Sequence, residues 1–254
     1  MYVEEYGPTD GVPIVFLHGS MVAGWMWMGQ VVDLPEYRCL LPDLPGMGNS
    51  ADESWINFTD TSDRIADMIG VRCTNGSAHL VGLSLGGITG LHVAARHPDL
   101  VRSLIVSGVP YGKIPSALRV LSTVMLGLYR RPWGARVVAR LFGIPHDESM
   151  DAFMQTALQT DPASLRALTD EVSKMPLPQN LEMVTVPTLA VVGEKDTTPA
   201  KHAVPYLQEV MPNAVGCVAP GVGHQWNAEN QELFSEMIRL WITSQAVNDQ
   251  LMHV

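Results

Sequence analysis

The sequence predicts an α/β fold in which helices cover both faces of a mostly parallel β-sheet. Short strand-like runs alternate with helix-like segments, a pattern typical of parallel strands joined by helices. The run at 13–17 is apolar throughout, as in a strand that is buried on both faces. No strand pattern occurs between about 115 and 182, where apolar residues recur at helical spacing. We therefore expect a core domain at 1–114 and 183–254, interrupted by a helical cap at 115–182.

The predicted strands and helices alternate along the chain. Seven segments are predicted strands, at 2–6, 13–17, 38–42, 78–81, 101–107, 187–192 and 214–218. Helices are predicted at 59–72, directly after Ser84, around 199–211 and around 229–244. Within the insertion, Asp161 and Pro162 predict a helix start, because aspartate caps helix N-termini and proline suits the first helical position.

Composition limits the classes of partner. The chain has 254 residues, enough for one large domain, and a formal net charge of −10. An acidic surface repels phosphate backbones, so no nucleic acid partner is expected. The sequence shows no basic run, long apolar stretch or leader, which predicts no membrane partner and a cytoplasmic location. The three cysteines, Cys39, Cys73 and Cys217, are too scattered for a disulfide framework or a metal site, and no cofactor is expected.

The segment around Ser84 carries the strongest chemical signal. Gly82-Leu83-Ser84-Leu85-Gly86 matches the pattern G-x-S-x-G, with a strand-like run before it and a helix-like run after it. A sharp turn from strand to helix holds its corner residue in a strained conformation, and the flanking glycines allow the close approach. The serine then lies clear of the sheet, at the positive end of a helix. We predict that Ser84 is a nucleophile; a chance Gly/Ser turn is the alternative.

A serine nucleophile needs a base, and the base needs an acid that orients it. Of the eight histidines, His224 is the best candidate because it lies after the last predicted strand and before the last helix. In the order nucleophile, acid, base, the acid falls between 85 and 223, and Asp196 closely follows a predicted strand there. Glu194 is its nearest rival, whereas Asp99 is expected below the sheet.

Acyl transfer also requires backbone N–H groups aimed at the oxygen where negative charge develops. Losing one such donor typically costs ~10²–10³-fold in rate. Leu85, directly after the nucleophile, is the first predicted donor. Ser20 is the second, with Met21 as its alternative, because both follow the strand at 13–17. His18, at the end of that strand, is expected to brace the loop.

The predicted pocket is apolar and adaptable. The sequence contains fourteen methionines, and a flexible thioether side chain suits a pocket that adjusts to its ligand. The candidate lining residues are Met21, Trp25, Met125 and Met154. No Lys/Arg cluster occurs in the catalytic loops, so we expect a neutral, fairly apolar small-molecule ester as the substrate.

The chain resembles the α/β-hydrolase-fold serine hydrolases that carry a helical cap. The resemblance covers nearly the whole chain and rests on five motifs in order, at 18–19, 43–50, 82–86, 193–196 and 223–224. It implies Ser84, Asp196 and His224 as a catalytic triad. A serine nucleophile counts against dehalogenase and epoxide hydrolase chemistry, which uses an aspartate in this fold. Because the N-terminus leaves room for only one strand before the one at 13–17, we expect about seven strands rather than eight.

The leading hypothesis is therefore a carboxylic ester hydrolase that acts through an acyl-enzyme on Ser84. A thioester or a lactone would be handled by the same residues. The region 18–27 also resembles the plant methylesterase and hydroxynitrile lyase branch, which keeps lyase chemistry open. Two further hypotheses are C–C bond hydrolysis with the same triad and a ligand receptor built on a hydrolase scaffold. The sequence alone does not specify the natural substrate, its acyl length and stereochemistry, or the oligomeric state.

Overall fold

A computed structural model describes residues 1–112, 124, 127–129, 131–141, 144, 148–174 and 177–254. In this part of the chain the strands are β1 (Val3–Tyr6), β2 (Pro13–Leu17), β3 (Arg38–Pro42), β4 (Ala78–Leu83), β5 (Val101–Ser107), β6 (Thr188–Gly193), β7 (Ala214–Ala219) and β8 (Met252–His253). They form one sheet in the order β1-β3-β2-β4-β5-β6-β7-β8. The six inner strands are parallel, and the two edge strands are antiparallel to their neighbours.

The sheet has one strand more than the predicted seven. All seven predicted strands are present, and a single strand precedes β2, as expected from the short N-terminus. The additional strand is β8, in which Met252 pairs with Val218 and His253 pairs with Cys217. Two residues are too few to produce an alternating pattern, so β8 exists through pairing with β7 rather than through a local signal.

The helices alternate with the strands as predicted. Those with described bounds are α1 (Met28–Asp33), α2 (Phe58–Arg72), α3 (Leu85–Arg96), α4 (Pro132–Leu141), α5 (Glu148–Gln159), α6 (Pro162–Val172), α7 (Thr198–Val210), α8 (Trp226–Glu229) and α9 (Gln231–Ser244). The predicted start of α6 is confirmed, because the Asp161 carboxylate accepts the N–H groups of Ala163 and Ser164, and Pro162 follows the cap.

Different helices cover the two faces of the sheet. In β2, Val15 and Leu17 belong to an apolar cluster that includes residues of α2, α3 and α7. The alternate residues Ile14 and Phe16 belong to a second cluster, which includes residues of α9. All four side chains are fully buried, as the unbroken apolar run predicts.

Helix α6, which lies between β5 and β6 in the chain, is attached to the carboxyl edge of the sheet. The indole N–H of Trp55 donates to the Glu171 carboxylate at 3.0 Å, and the N–H of Asp161 donates to the Gly46 carbonyl at 2.9 Å. Gly46 and Trp55 lie in the connection that follows β3, so α6 packs over that edge. Ligand sites of parallel α/β sheets open at the carboxyl ends of the strands.

The described ranges contain no helix that combines the length and apolar character needed to cross a lipid bilayer. Across the same ranges, His, Cys, Asp and Glu side chains form no group of three that could hold a metal ion. The three cysteines are buried and free.

Candidate active site

Ser84 occupies a strained corner between β4 and α3. Its backbone has φ 55° and ψ −111°, a conformation that residues with a side chain rarely adopt and that costs roughly 1–3 kcal/mol. Two backbone hydrogen bonds hold it: Ser84 N–H donates to Ser107 O at 2.7 Å, and Ile88 N–H donates to Ser84 O at 3.0 Å. The strand-to-helix corner predicted from the glycine pattern is therefore present.

The two glycines of the pattern have no room for a side chain. A Cβ at Gly82 would lie 2.3 Å from the carbonyl oxygen of Gly86, on the first turn of α3. A Cβ at Gly86 would lie 1.9 Å from the carbonyl oxygen of Leu17, at the end of β2. These approaches bring β2, β4 and the start of α3 into direct contact, and only glycine permits them.

Asp196 and His224 form a hydrogen-bonded pair. Asp196 closely follows β6, and His224 follows β7, the next strand of the sheet. The Nδ1 atom of His224 lies 2.8 Å and 3.0 Å from the two carboxylate oxygens of Asp196. The Asp196 side chain is completely buried, whereas 38% of the His224 side chain is exposed. An ionised carboxylate can only accept, so it fixes the hydrogen on Nδ1 and leaves Nε2 free to take a proton.

Hydrogen bonds hold the loops after β6 and β7 together, and Glu194, the alternative candidate for the acid, takes part in them. Glu194 N–H donates to Ala219 O at 2.9 Å, and Lys195 N–H donates to Val222 O at 2.8 Å. The exposed Glu194 carboxylate accepts the N–H of Gly221 at 2.7 Å. Asp99, the other carboxylate considered, precedes β5 at the opposite edge of the sheet. The structure therefore places Asp196, and neither of its rivals, against His224.

The end of β5 connects these groups, which the sequence did not indicate. The carbonyl of Ser107 accepts the N–H of Ser84, and its hydroxyl accepts the indole N–H of Trp226 at 2.8 Å. Gly108, with φ +63°, lies so close to the pair that a Cβ there would be 2.8 Å from His224 Cε1. The one signal that the sequence offered for this position is a glycine directly after a strand.

The predicted oxyanion donors lie on two neighbouring segments. Leu85 is the first residue of α3, and Ser20 is exposed in the connection that follows β2. Met21, the alternative donor, has a positive φ of 67°, and its carbonyl accepts the hydroxyl of Tyr129 at 2.7 Å. Because Gly86 touches the last carbonyl of β2, the connection with Ser20 starts beside the amino end of α3.

His18 braces the loop after β2, as predicted. Its Nε2 accepts the N–H of Leu44 at 2.8 Å, so Nδ1 carries the hydrogen and donates to Gly19 O at 2.7 Å. Complete burial lowers the pKa of His18, which keeps the ring neutral in this arrangement. The neighbouring Asp43 carboxylate accepts the N–H of Gly24 at 2.8 Å and fixes the same loop from the other end.

Two further histidines have structural partners away from the site. His79 lies within β4 and is 2.8 Å from the hydroxyl of Ser103 on β5. Burial, with a smaller contribution from Arg102, lowers the pKa of His79 to about 4. His97 is 2.7 Å from the carboxylate of Asp63. Neither of these histidines competes with His224 for the role of base.

The predicted pocket residues occupy different surroundings. Met21 is buried, and the Trp25 indole N–H donates to the Thr156 hydroxyl of α5 at 3.0 Å. Met154, also in α5, is partly buried and packs against the larger apolar cluster. Met125 lies outside the described residues.

A cavity of about 470 Å³ adjoins the candidate site. Its described lining residues are Val22, Trp25, Met26, Met28, Gly29, Gln30, Ile144, Ser149, Gln225, Asn227, Ala228, Glu229 and Gln231. Trp25 is the one predicted pocket residue among these lining residues. The cavity borders the loop after β2, because the sulfur of Met26 accepts the N–H of Gly19 at 3.4 Å. On its other side it borders the residue after His224.

Comparison with known proteins agrees with this architecture. A model described as the alpha/beta hydrolase family matches residues 14–236. An AB hydrolase superfamily protein of Gibberella zeae is 30% identical over 256 residues, covering 98% of this chain and 86% of that protein. A pimeloyl-(acyl-carrier protein) methyl ester esterase of Aeromonas hydrophila is 27% identical over 256 residues, covering 94% and 98%. A thermophilic esterase from Thermogutta terrifontis has a TM-score of 0.75 at 23% identity, covering 95% of this chain and 92% of that one. The predicted fold is confirmed.

Proposed function

The chain belongs to the alpha/beta hydrolase family, and on this basis we propose that it hydrolyses a neutral, fairly apolar carboxylic ester through an acyl-enzyme on Ser84. The observation that carries the proposal is the buried Asp196 carboxylate bonded to His224 Nδ1, at the same sheet edge as a strained serine. The esterase relatives support an ester as the substrate class.

In the proposed reaction, Ser84 Oγ attacks the ester carbonyl while its proton passes to His224 Nε2. Asp196 stabilises the imidazolium that forms, because its carboxylate already accepts from Nδ1. The N–H groups of Leu85 and Ser20 stabilise the negative oxygen of the tetrahedral intermediate. The imidazolium then gives its proton to the leaving alcohol, and water hydrolyses the acyl-enzyme by the same proton transfers in reverse.

The walls above these groups favour a neutral substrate. We propose that the helical segment at 115–182 forms a cap over the carboxyl edge, with Met21, Trp25 and Met154 on the pocket wall. In the adjoining cavity, the described lining residues include the apolar Trp25, Met26 and Ile144 and no Lys, Arg or His. Its only charged lining residue among those described is Glu229, which repels a carboxylate.

A panel of p-nitrophenyl esters, graded from acetyl to dodecanoyl, tests the proposal when it is run beside Ser84→Ala. We expect the variant to lose at least about 10³-fold in kcat/KM. Mass spectrometry of the quenched wild-type reaction should find the acyl group on Ser84. The dimethyl ester of a dicarboxylic acid should be a better substrate than its monomethyl ester, because only the second carries a free carboxylate.

Different results would support the competing functions. Tight ligand binding, with turnover no faster than that of Ser84→Ala across the panel, would favour a receptor. Turnover of a hydroxynitrile, with no adduct on Ser84, no oxygen from solvent in the product and no hydrolysis of the esters, would favour lyase chemistry. Turnover of a C–C substrate with oxygen from solvent in the acid product, and no hydrolysis of the esters, would favour C–C bond hydrolysis. Any of these outcomes would refute ester hydrolysis as the function.

A further inference from the structure

Ser107, the last residue of β5, uses both of its polar groups to hold other parts of the candidate site. Its carbonyl accepts the N–H of Ser84 at 2.7 Å, and its hydroxyl accepts the indole N–H of Trp226 at 2.8 Å. Ser107 and Trp226 are fully buried, so water does not compete for the bond between them. Trp226 lies two residues after His224 and begins α8. One serine therefore connects the backbone of the nucleophile to the segment that carries the base.

Burial of the indole alone does not explain this bond. Trp27 and Trp241 belong to the same apolar cluster as Trp226, and their indole N–H groups have no hydrogen-bond partner among the described residues. This cluster thus accommodates a buried indole without a dedicated acceptor. Burying a serine hydroxyl at Ser107 also costs desolvation, which an apolar residue would avoid. Packing therefore gives no reason for a serine at the end of β5.

The position of Ser107 in the sheet gives such a reason. β5 lies between β4, which leads to Ser84, and β6, which leads to Asp196. Asp196 orients the imidazole through Nδ1, and Gly108 packs closely against the ring. Neither contact fixes the start of α8 relative to Ser84, whereas the bond between Ser107 and Trp226 does.

We propose that Ser107 is a positioning residue that, through Trp226, sets the placement of His224 relative to Ser84; this inference rests on the proposed ester hydrolysis. Without the bond, the start of α8 can shift, and His224 Nε2 no longer points reproducibly at Ser84 Oγ. Proton transfer then slows, so the main effect falls on kcat. Because residues of α8 also line the adjoining cavity, KM changes too, but by a smaller factor.

The test compares Ser107→Ala, Trp226→Phe and the double variant. Two rates are measured: ester hydrolysis, and inactivation by a small alkyl fluorophosphonate, in which Ser84 Oγ displaces fluoride from phosphorus and its proton passes to His224. We expect each single variant to lower kcat and the inactivation rate about 5- to 20-fold, with KM within about twofold of wild type. The double variant should be no slower than the slower single variant, because both changes remove one bond. Ser107→Thr, which keeps the hydroxyl, should retain most of the activity.

Ser103→Ala is the matched control. Ser103 is a buried serine of the same strand, four residues earlier, and its hydroxyl is bonded to His79 rather than to the site. This variant should lower the melting temperature but leave kcat unchanged. If Ser107→Ala does not fold, the proposal is tested by Trp226→Phe, which keeps an aromatic side chain at this position but removes the indole N–H.

Three results would overturn the role of Ser107. They are a kcat of Ser107→Ala equal to that of Ser103→Ala, single effects that multiply in the double variant, and a Trp226→Phe variant as fast as wild type. A wild-type protein that neither hydrolyses esters nor reacts with the fluorophosphonate would refute the proposed function, and the role of Ser107 with it. A reactive wild type with an equally reactive Ser107→Ala would refute this inference alone.

Discussion

Gly108 is a position where one added methyl group should disturb the hydrogen-bonded pair of Asp196 and His224 directly. Gly108→Ala adds one methyl group at a residue with φ +63°. An alanine in this left-handed conformation costs roughly 1–2 kcal/mol of folding free energy. The new Cβ would lie 2.8 Å from His224 Cε1, 2.9 Å from His224 Nδ1 and 3.2 Å from the Asp196 carboxylate.

The displacement of the imidazole follows from these distances. Carbon atoms pack at about 3.5–4.0 Å, so the His224 ring must retreat by about 0.7 Å or more. The Nδ1 to Asp196 bond, now 2.8 Å, would then be stretched or tilted beyond good hydrogen-bond geometry. A misplacement of about 1 Å in a reacting group can cost 10²-fold in rate. We therefore expect kcat to fall by about 10²-fold.

The assay measures kcat, KM and the free energy of unfolding in urea for the wild type, Gly108→Ala and Gly76→Ala. Gly76 is the control because it has the same φ of +63°, and a Cβ added there would meet no heavy atom within 4 Å. It lies after α2 and before β4, away from the carboxyl edge of the sheet. Both variants should lose roughly 1–2 kcal/mol of stability, and only Gly108→Ala should lose activity. A kcat of Gly108→Ala within about threefold of wild type would show that the close packing of Gly108 against Asp196 and His224 does not matter for catalysis.

Two further predictions concern charge. Asp196→Asn should lower kcat about 10³–10⁴-fold, because an amide does not hold the same tautomer of His224, whereas Glu194→Gln should change kcat little; equal losses would contradict Asp196 as the acid. The pKa of His79 is about 4 in the folded protein and 6.5 for the free side chain. Between these two pH values the unfolded chain binds a proton on His79 that the folded protein does not, so the wild type loses stability as the pH falls from 6.5 towards 4. His79→Gln lacks this loss, so urea unfolding at pH 7 and pH 4.5 should show the stability advantage of wild type shrinking at the lower pH, and an unchanged difference would contradict the lowered pKa.

The sheet could be predicted wherever a strand carries its own signal. The apolar run at 13–17 is fully buried in β2, because a parallel strand covered on both faces admits no polar residue there. β8 has no such signal, since two exposed residues become a strand only by pairing with β7. The corner at Ser84 was predictable for a different reason: its glycines are required by close backbone contacts that recur wherever a strand turns so sharply into a helix.

The contact between His224 and Asp196 was predictable because each residue follows a strand and carries a functional group that the proposed chemistry requires. His18 was correctly expected to act as a brace, yet its partner, the N–H of Leu44, lies on another loop and leaves no mark in the local sequence. The same holds for Trp226, whose acceptor is 119 residues away in the chain. Contacts of this kind depend on how the connections after neighbouring strands pack together.

Gly108 shows why a search for functional groups cannot complete the site. Such a search asks which side chains can donate, accept or attack, and it passes over the end of β5 because no acid is found there. His224 and Asp196 require space at Gly108. The backbone there is in a left-handed conformation and carries no side chain, so the imidazole and the carboxylate can lie directly against it. Ser107 adds the complementary requirement, a hydroxyl whose partner is an indole rather than a substrate. The geometry of His224 therefore depends on a strand that supplies no member of the proposed triad, and the Gly108 and Ser107 variants measure these two dependences separately.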